Sequence, residues 1–363
     1  MTEVTMTDER HIELPDTHAT AVNRKAGVVE IEQRAVPRVE PGRVVVEVSY
    51  CGVCGSDLHL TLEGWGTRGS VEGHEYSGVI VAVGDDVEGW AVGQRIVCGA
   101  SPKCGTCDAC VAGLPSQCAH RTGIMGNRYD GAFAQYVSMD ARALVTVPET
   151  LDLRTAALAE PLAVSLHAIT RSGIGAGESA MIFGAGPIGA LVLSVLVAEG
   201  IGPVTVVEPN ETRQRLARQL GADIVLHPSD LTTYSLAEPD SVAEHAVSVV
   251  FECSGHRSAM EAAPSQLKRG GRLMLVGAGI DPPSFDPNRL ILNELTVSGV
   301  FIYDADGFER AMDWLDSGRL RTDLLIEPDD VPLDGMLDAM LQIVAGLRPG
   351  KVMVVPRLAG SSS

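Results

Sequence analysis

Basic residues are scarce in this chain, aromatic residues are few, and no long apolar run goes unbroken. Lys and Arg total 28 against 47 Asp and Glu, a net charge of −19. A surface of that sign repels phosphate backbones and anionic headgroups, so nucleic acid and acidic membranes are not expected partners. The most apolar stretch, Ile188 to Val207, is interrupted by Glu199, Gly200, Gly202 and Pro203, too soon for a membrane span. The first 27 residues are polar and lack the apolar core of a secretory signal. The expectation is a reducing cytoplasm, where thiolates hold metal rather than pair. With 363 residues, 45% of them hydrophobic, the chain is long enough for two domains with real cores. It contains no internal repeat.

Against these absences stand four clustered cysteines. The text is Cys104-Gly-Thr-Cys107-Asp-Ala-Cys110, then seven residues, then Cys118. Two-residue gaps let successive thiolates turn back onto one ion. Four thiolates close a tetrahedral shell with no position for a substrate, which suits structural zinc. A disulfide pair is the competing reading, and nothing in the chain points to secretion. Cys51, Cys98 and Cys253 read as buried core thiols.

A second set of ligand-type residues is dispersed. It comprises Cys54-Gly-Ser56-Asp57-Leu-His59, then Gly73-His74-Glu75, then Glu160-Pro161. One thiolate, one imidazole and one carboxylate make a three-ligand zinc site whose fourth position stays open. Cys51 competes with Cys54. The polar residues after Cys54 favour it, whereas Cys51 ends the apolar run Val44 to Tyr50. Each residue also has a plainer reading: His74 as a capped surface residue, Glu160-Pro161 as a helix start, His59 as an exposed helix histidine.

The first ~150 residues read as short strands divided by Gly and Pro, an irregular β-barrel-like pattern. Strands are predicted at Val44–Ser49, Tyr76–Val83, Arg95–Cys98 and Phe133–Val137. From about Thr155 strands alternate with helices, the signature of a doubly wound parallel sheet. There Gly184-Ala-Gly186-Pro187-Ile188-Gly189 follows the predicted strand Ser179–Phe183 and opens a helix. Glycines permit the tight turn and close approach of a pyrophosphate, which the helix N-terminus then binds. Glu208 ends the next predicted strand. A carboxylate there accepts ribose hydroxyls and repels a 2′-phosphate, so NAD is favoured over NADP. Arg213 and Arg215 lie close enough to soften that preference.

With these residues in place, the chain resembles the zinc-containing medium-chain dehydrogenases over nearly its whole length. It is most similar to their polyol branch (sorbitol, butanediol and threonine dehydrogenases). The resemblance rests on Cys51-Gly-Val-Cys54-Gly-Ser-Asp-Leu-His59, Gly73-His74-Glu75, the cysteine lobe, Gly131-Ala-Phe-Ala, Glu160-Pro161-Leu162 and the dinucleotide turn. It implies a GroES-like catalytic domain over 1–160 plus 305–363, with the zinc lobe at about 98–120. It implies a Rossmann domain over 161–304, and a homodimer or homotetramer. It implies catalytic zinc on Cys54, His74 and either Glu160 or Glu75, and a second, structural zinc. It also implies that Lys351 contacts the cofactor pyrophosphate or pairs with Glu75.

The implied reaction moves a hydride between a secondary alcohol and NAD. Zinc would acidify the alcohol, and Ser56 would take its proton and pass it by way of the ribose to His59. Asp57 would orient His74. Two other readings stand beside it: a reductase of activated C=C or iminium bonds, and a non-catalytic dinucleotide-binding protein. Intact Cys54, His74 and Glu160, and the Ser56/His59 pair, speak against both. Leu60, Trp65, Met125, Asn127, Arg128, Tyr129 and Phe301 are candidates for the pocket wall. With 4% aromatics, the chain declares no preference between a polyol and a bulky cyclic alcohol.

Overall fold

The run Val44-Val45-Val46 is β-branched throughout and sits inside a strand, as such side chains favour. In the computed structural model, which describes residues 11–98, 103–120, 130–234, 237–279 and 281–356, this strand organises the first of two units. That unit takes the chain up to Glu160, Asp329–Leu341 and the stretch from Val352; the second takes Pro161–Pro328 and Gln342–Lys351.

The first unit contains β1 (Thr17–Lys25), β2 (Val28–Ala35), β3 (Arg43–Gly52), β4 (Glu75–Val83), β5 (Arg95–Cys98), β6 (Tyr136–Asp140) and β7 (Leu144–Thr146). β1 and β2 form an antiparallel hairpin. β3 lies at the heart of a larger sheet. It pairs with β4 and with β6, and β5 carries the sheet on to β7. In the β3–β4 pairing Val44 faces Val83 at one end and Gly52 faces Glu75 at the other. Two irregularities interrupt it, at Val45/Val46 and at Val48/Tyr50, and the second restores the offset that the first removes. The end of β3 and the start of β4 therefore meet, which brings the Cys54 and His74 segments together.

The predicted strand Phe133–Val137 is observed three residues later, at Tyr136–Asp140. Phe133 and Ala134 are buried all the same, because their segment is bonded to β1 through Ala21 N–H to Phe133 O at 2.9 Å.

The second unit holds β8 (Ala180–Phe183), β9 (Val204–Val207), β10 (Ile224–Leu226), β11 (Val247–Glu252), β12 (Leu267–Leu275) and β13 (Thr296–Gly299). They form one parallel sheet in the order β10-β9-β8-β11-β12-β13. The order reverses between β8 and β11, the place where such sheets bind ligands at their carboxyl ends. Helix Pro187–Ala198 is apolar all round, and Gly189 to Leu196 are buried without a break, as expected of an internal helix. The sequence places the return to the first unit at 305, but residues up to Pro328 stay with the second. Helix Gly307–Asp316 is amphipathic and buries Phe308, Ala311, Met312 and Leu315, and Phe308 packs edge-on against Tyr303 at 4.9 Å. A short two-residue strand, β14 (Val331–Pro332), and β15 (Met353–Val355) then complete the first unit's sheet beside β3. Among the described residues no helix is long and apolar enough to cross a membrane.

The hairpin carries a pH-sensitive group. His18 on β1 is 3% exposed and its Nδ1 accepts the Tyr136 N–H at 3.2 Å. Burial lowers it from 6.5 to about 4, against an opposing pull from Asp130. A depressed histidine stabilises the fold fully above its unfolded value of 6.5, and that contribution is lost as pH falls towards 4. The loss should reach at most about 3 kcal/mol. Urea unfolding at pH 7, 5.5 and 4 should show it, and His18→Gln should flatten that slope. Equal slopes in the two proteins would remove His18 from the account.

Candidate active site

Helix α1 (Gly55–Leu62) starts directly after β3, with Cys54 as its N-cap. Asp57, in the first turn, reaches back so that its Oδ2 accepts the Cys54 N–H at 2.9 Å. Its other oxygen, Oδ1, lies 3.5 Å from His74 Nδ1. Asp57 is 0% exposed. One buried carboxylate thus fixes the residue that starts the helix and orients the imidazole just before the neighbouring strand. With Nδ1 turned to Asp57, Nε2 of His74 is left for a ligand.

Cys54, His74 and Glu75 each offer one donor atom, and these atoms all lie within 4.8 Å of one another. A thiol, an imidazole and a carboxylate are a fitting donor set for catalytic zinc. The local charge agrees with that. Burial disfavours a charged His74, yet the charges of Asp57 and Cys54 and their hydrogen bonds outweigh burial and push the ring well above its usual range. The site draws positive charge to itself, which a divalent cation would supply. Glu160, buried at the start of helix Ala159–Ser172, is not among the three clustered donors. Cys51 is fully buried in β3, opposite Tyr76.

The four cysteines converge. Sγ–Sγ separations are 3.9 Å for Cys104–Cys110, 3.9 Å for Cys107–Cys118 and 3.6 Å for Cys118–Cys104. A tetrahedron with Zn–S bonds of about 2.3 Å has edges of about 3.8 Å, so the group fits zinc. Backbone N–H groups of Thr106 and Cys107 hold Cys104 down to about 5. Cys110 is pushed up to about 12, by burial first and then by its sister thiols. A cation is what allows four such thiols to ionise together.

Ser56 and His59 lie three residues apart on α1, hence on one face. His59 Nδ1 is 2.8 Å from Glu63 Oε2, and its ring stacks on Trp65. Glu63 was not a sequence candidate, although its i,i+4 spacing from His59 is a readable signal. Glu72 was also missed. It is buried, its Oε1 accepts the Ser70 hydroxyl at 2.6 Å, and burial raises its pKa. Leu60 is half-buried, while Trp65 and Phe301 are exposed. Met125, Asn127, Arg128 and Tyr129 lie outside the described residues.

The dinucleotide turn belongs to the second unit. Gly184 has φ +89°, and a Cβ there would stand 2.9 Å from Ser254 Cβ. A Cβ on Gly189 would stand 1.9 Å from Gly184 O, so only glycine lets the helix pack this closely. Around Gly186, the N-cap of helix Pro187–Ala198, nothing lies within 4 Å of a would-be Cβ. That open space suits an approaching pyrophosphate, with Pro187 and Ile188 leading into the helix. Glu208 follows β9. Its Oε2 accepts the Ala185 N–H at 2.7 Å, and its Oε1 the Asn210 N–H at 2.9 Å. Arg213 donates to Ile343 O at 3.1 Å. Lys351 is 2% exposed, its N–H donating to Leu325 O at 2.8 Å, so it is not a solvated surface lysine.

Comparison with known proteins gives the family. Residues 40–149 match the alcohol dehydrogenase GroES-like domain and residues 187–317 the zinc-binding dehydrogenase domain. The chain is 36% identical over 284 residues to 2-dehydro-3-deoxy-L-galactonate 5-dehydrogenase of Pseudoalteromonas atlantica, covering 77% of this chain and 82% of that protein. It is 31% identical to sorbitol dehydrogenase of Bacillus subtilis, covering 89% and 94%. The crystal structure of 2R,3R-butanediol dehydrogenase from Bacillus subtilis superimposes with a TM-score of 0.81 at 30% identity, covering 94% of this chain and 100% of that one.

Proposed function

Since this chain belongs to the zinc-containing medium-chain alcohol dehydrogenases, we propose that Cys54, His74 and Glu75 hold its catalytic zinc and that Cys104, Cys107, Cys110 and Cys118 hold a second, structural zinc. The protein is an oxidoreductase of CH–OH donors that works with zinc and a nicotinamide cofactor. The observation that carries the assignment of roles is the contrast between the two donor sets. Four thiols close one shell, whereas three mixed donors leave the other open.

Bound zinc supplies a Lewis acid that acidifies the alcohol, and the nicotinamide supplies the hydride acceptor. The chain's own residues do the rest. Asp57 holds Cys54 and His74 in place. The Ser56 hydroxyl accepts the alcohol's proton as it gives up its own by way of the ribose hydroxyl to His59, which moves it on towards water. Gly184, Gly186, Pro187, Ile188 and Gly189 seat the pyrophosphate. Lys351 remains a candidate cofactor contact. Glu160 is the alternative carboxylate for the open site.

The cofactor is NAD. A carboxylate at Glu208 would meet a 2′-phosphate charge to charge, and the two nearby cations are turned to other partners, Arg213 to the Ile343 carbonyl and Arg215 to the Thr212 hydroxyl. Glu208→Ser should raise the NADP-to-NAD ratio of kcat/KM at least about tenfold, ~1.4 kcal/mol. Equal wild-type rates with both cofactors would refute the preference.

The general test is a panel of secondary alcohols, polyols and cyclic alcohols included, assayed for NAD⁺ and NADP⁺ reduction before and after chelation. Oxidation should stop when zinc is stripped and return when it is restored. Full activity in the stripped protein would overturn the assignment.

A further inference from the structure

The last turn of α1 carries an arrangement that a proton relay through His59 does not by itself require. Glu63 Oε2 lies 2.8 Å from His59 Nδ1. On the other side the indole of Trp65 stacks on the imidazole, with centroids 5.2 Å apart and planes at 24°. The backbone is wound to hold both: the N–H groups of Glu63 and Trp65 each donate to His59 O at 3.3 Å. His59 keeps 24% of its side chain exposed and Glu63 41%, so the pair lies at the edge of solvent.

A carboxylate only accepts, so Nδ1 must carry the hydrogen of this bond. The partner of one imidazole nitrogen sets the state of the other. Nδ1–H on Glu63 therefore leaves Nε2 with the lone pair. We propose that Glu63 is the positioning residue of the proton relay: it holds His59 as the Nδ1–H tautomer, with Nε2 open to the incoming proton. A bond from Nε2 to hydrogen forms as the hydroxyl O–H of the donor breaks. The imidazolium is held by Glu63 on one edge and by the indole face of Trp65. Nε2 then gives the same proton to water, and the starting tautomer returns. This assignment rests on His59 acting in the relay, and Glu63 acts through His59 without touching substrate.

The experiment compares wild type, Glu63→Gln, Glu63→Ala and His59→Ala as holoenzymes, together with nitrogen-15 NMR of the histidine rings in cofactor-free protein. Wild-type His59 should show a protonated Nδ1 and a bare Nε2, and Glu63→Ala should show mixed tautomers. Both Glu63 variants should lose about tenfold in kcat with KM for alcohol and NAD⁺ unchanged. Added formate should restore part of the rate to Glu63→Ala and none to Glu63→Gln, which still fills the space. A wild-type ring protonated on Nε2, or Glu63 variants with unaltered kcat, would overturn the inference. So would a lowered kcat that formate does not restore, since that marks packing alone. His59→Ala separates the two levels. If it slows turnover while Glu63→Gln does not, only the role of Glu63 falls; if it keeps the full rate, the relay itself falls.

Discussion

Cys54→Ser protein should fold, bind one zinc in place of two, and lose at least about a thousandfold in kcat/KM, ~4 kcal/mol of transition-state stabilisation. A serine hydroxyl does not replace a thiolate on zinc, so the remaining imidazole and carboxylate would hold the ion too weakly. The fold should survive, because Cys54 also acts through its backbone. Its N–H still bonds Asp57 Oδ2, and serine is itself a good helix N-cap. Metal analysis and circular dichroism on the same sample check both halves. Near-normal turnover with one zinc lost would mean that the thiol is not a catalytic ligand.

Cys107→Ser should show the converse. Its Sγ is 3.9 Å from Cys118 Sγ, and three thiols hold zinc far less well than four. Structural zinc contributes folding energy directly. A loss of about 3 kcal/mol would lower the apparent melting temperature of a chain of this length by roughly 4 °C. The described part of the lobe, residues 103–120, has only a four-residue helix, Asp108–Val111, and a single turn at Pro115–Gln117. Early protease cleavage there should accompany the fall. Residual turnover at low temperature should persist. A mutant that lost activity while keeping its stability would exchange the two metal assignments.

How far the sequence could be read depended on how local each signal was. The convergence of the cysteine lobe was legible because its four thiols fall within fifteen residues, at spacings that let them turn towards one point. The dinucleotide turn was legible because glycine is the residue that its φ angle and close packing require. The choice between Glu75 and Glu160 was not, since it depends on which donor a distant chain segment brings to Cys54. The β1–β2 hairpin escaped because β1 buries His18, Thr20 and Asn23 beside alanine and valine, which erases the alternation that reveals a strand. The return point of the chain was not legible, because the apolar face of a helix such as Gly307–Asp316 does not say in sequence which unit covers it.

The β3–β4 pairing has a consequence for tolerated variation. Cys54 follows one strand and His74 precedes the other, so their spacing is inherited from the offset between the strands. That offset survives because two irregularities cancel. Apolar exchanges along either strand should therefore leave metal affinity almost intact. Deleting one residue near Val79, midway along β4, should abolish it when the far half of β4 keeps its register, since the one-step slip then falls on the half that leads from Glu75 and turns those side chains to the opposite face. The proposed metal site should thus be sensitive to the length of these strands far more than to their composition.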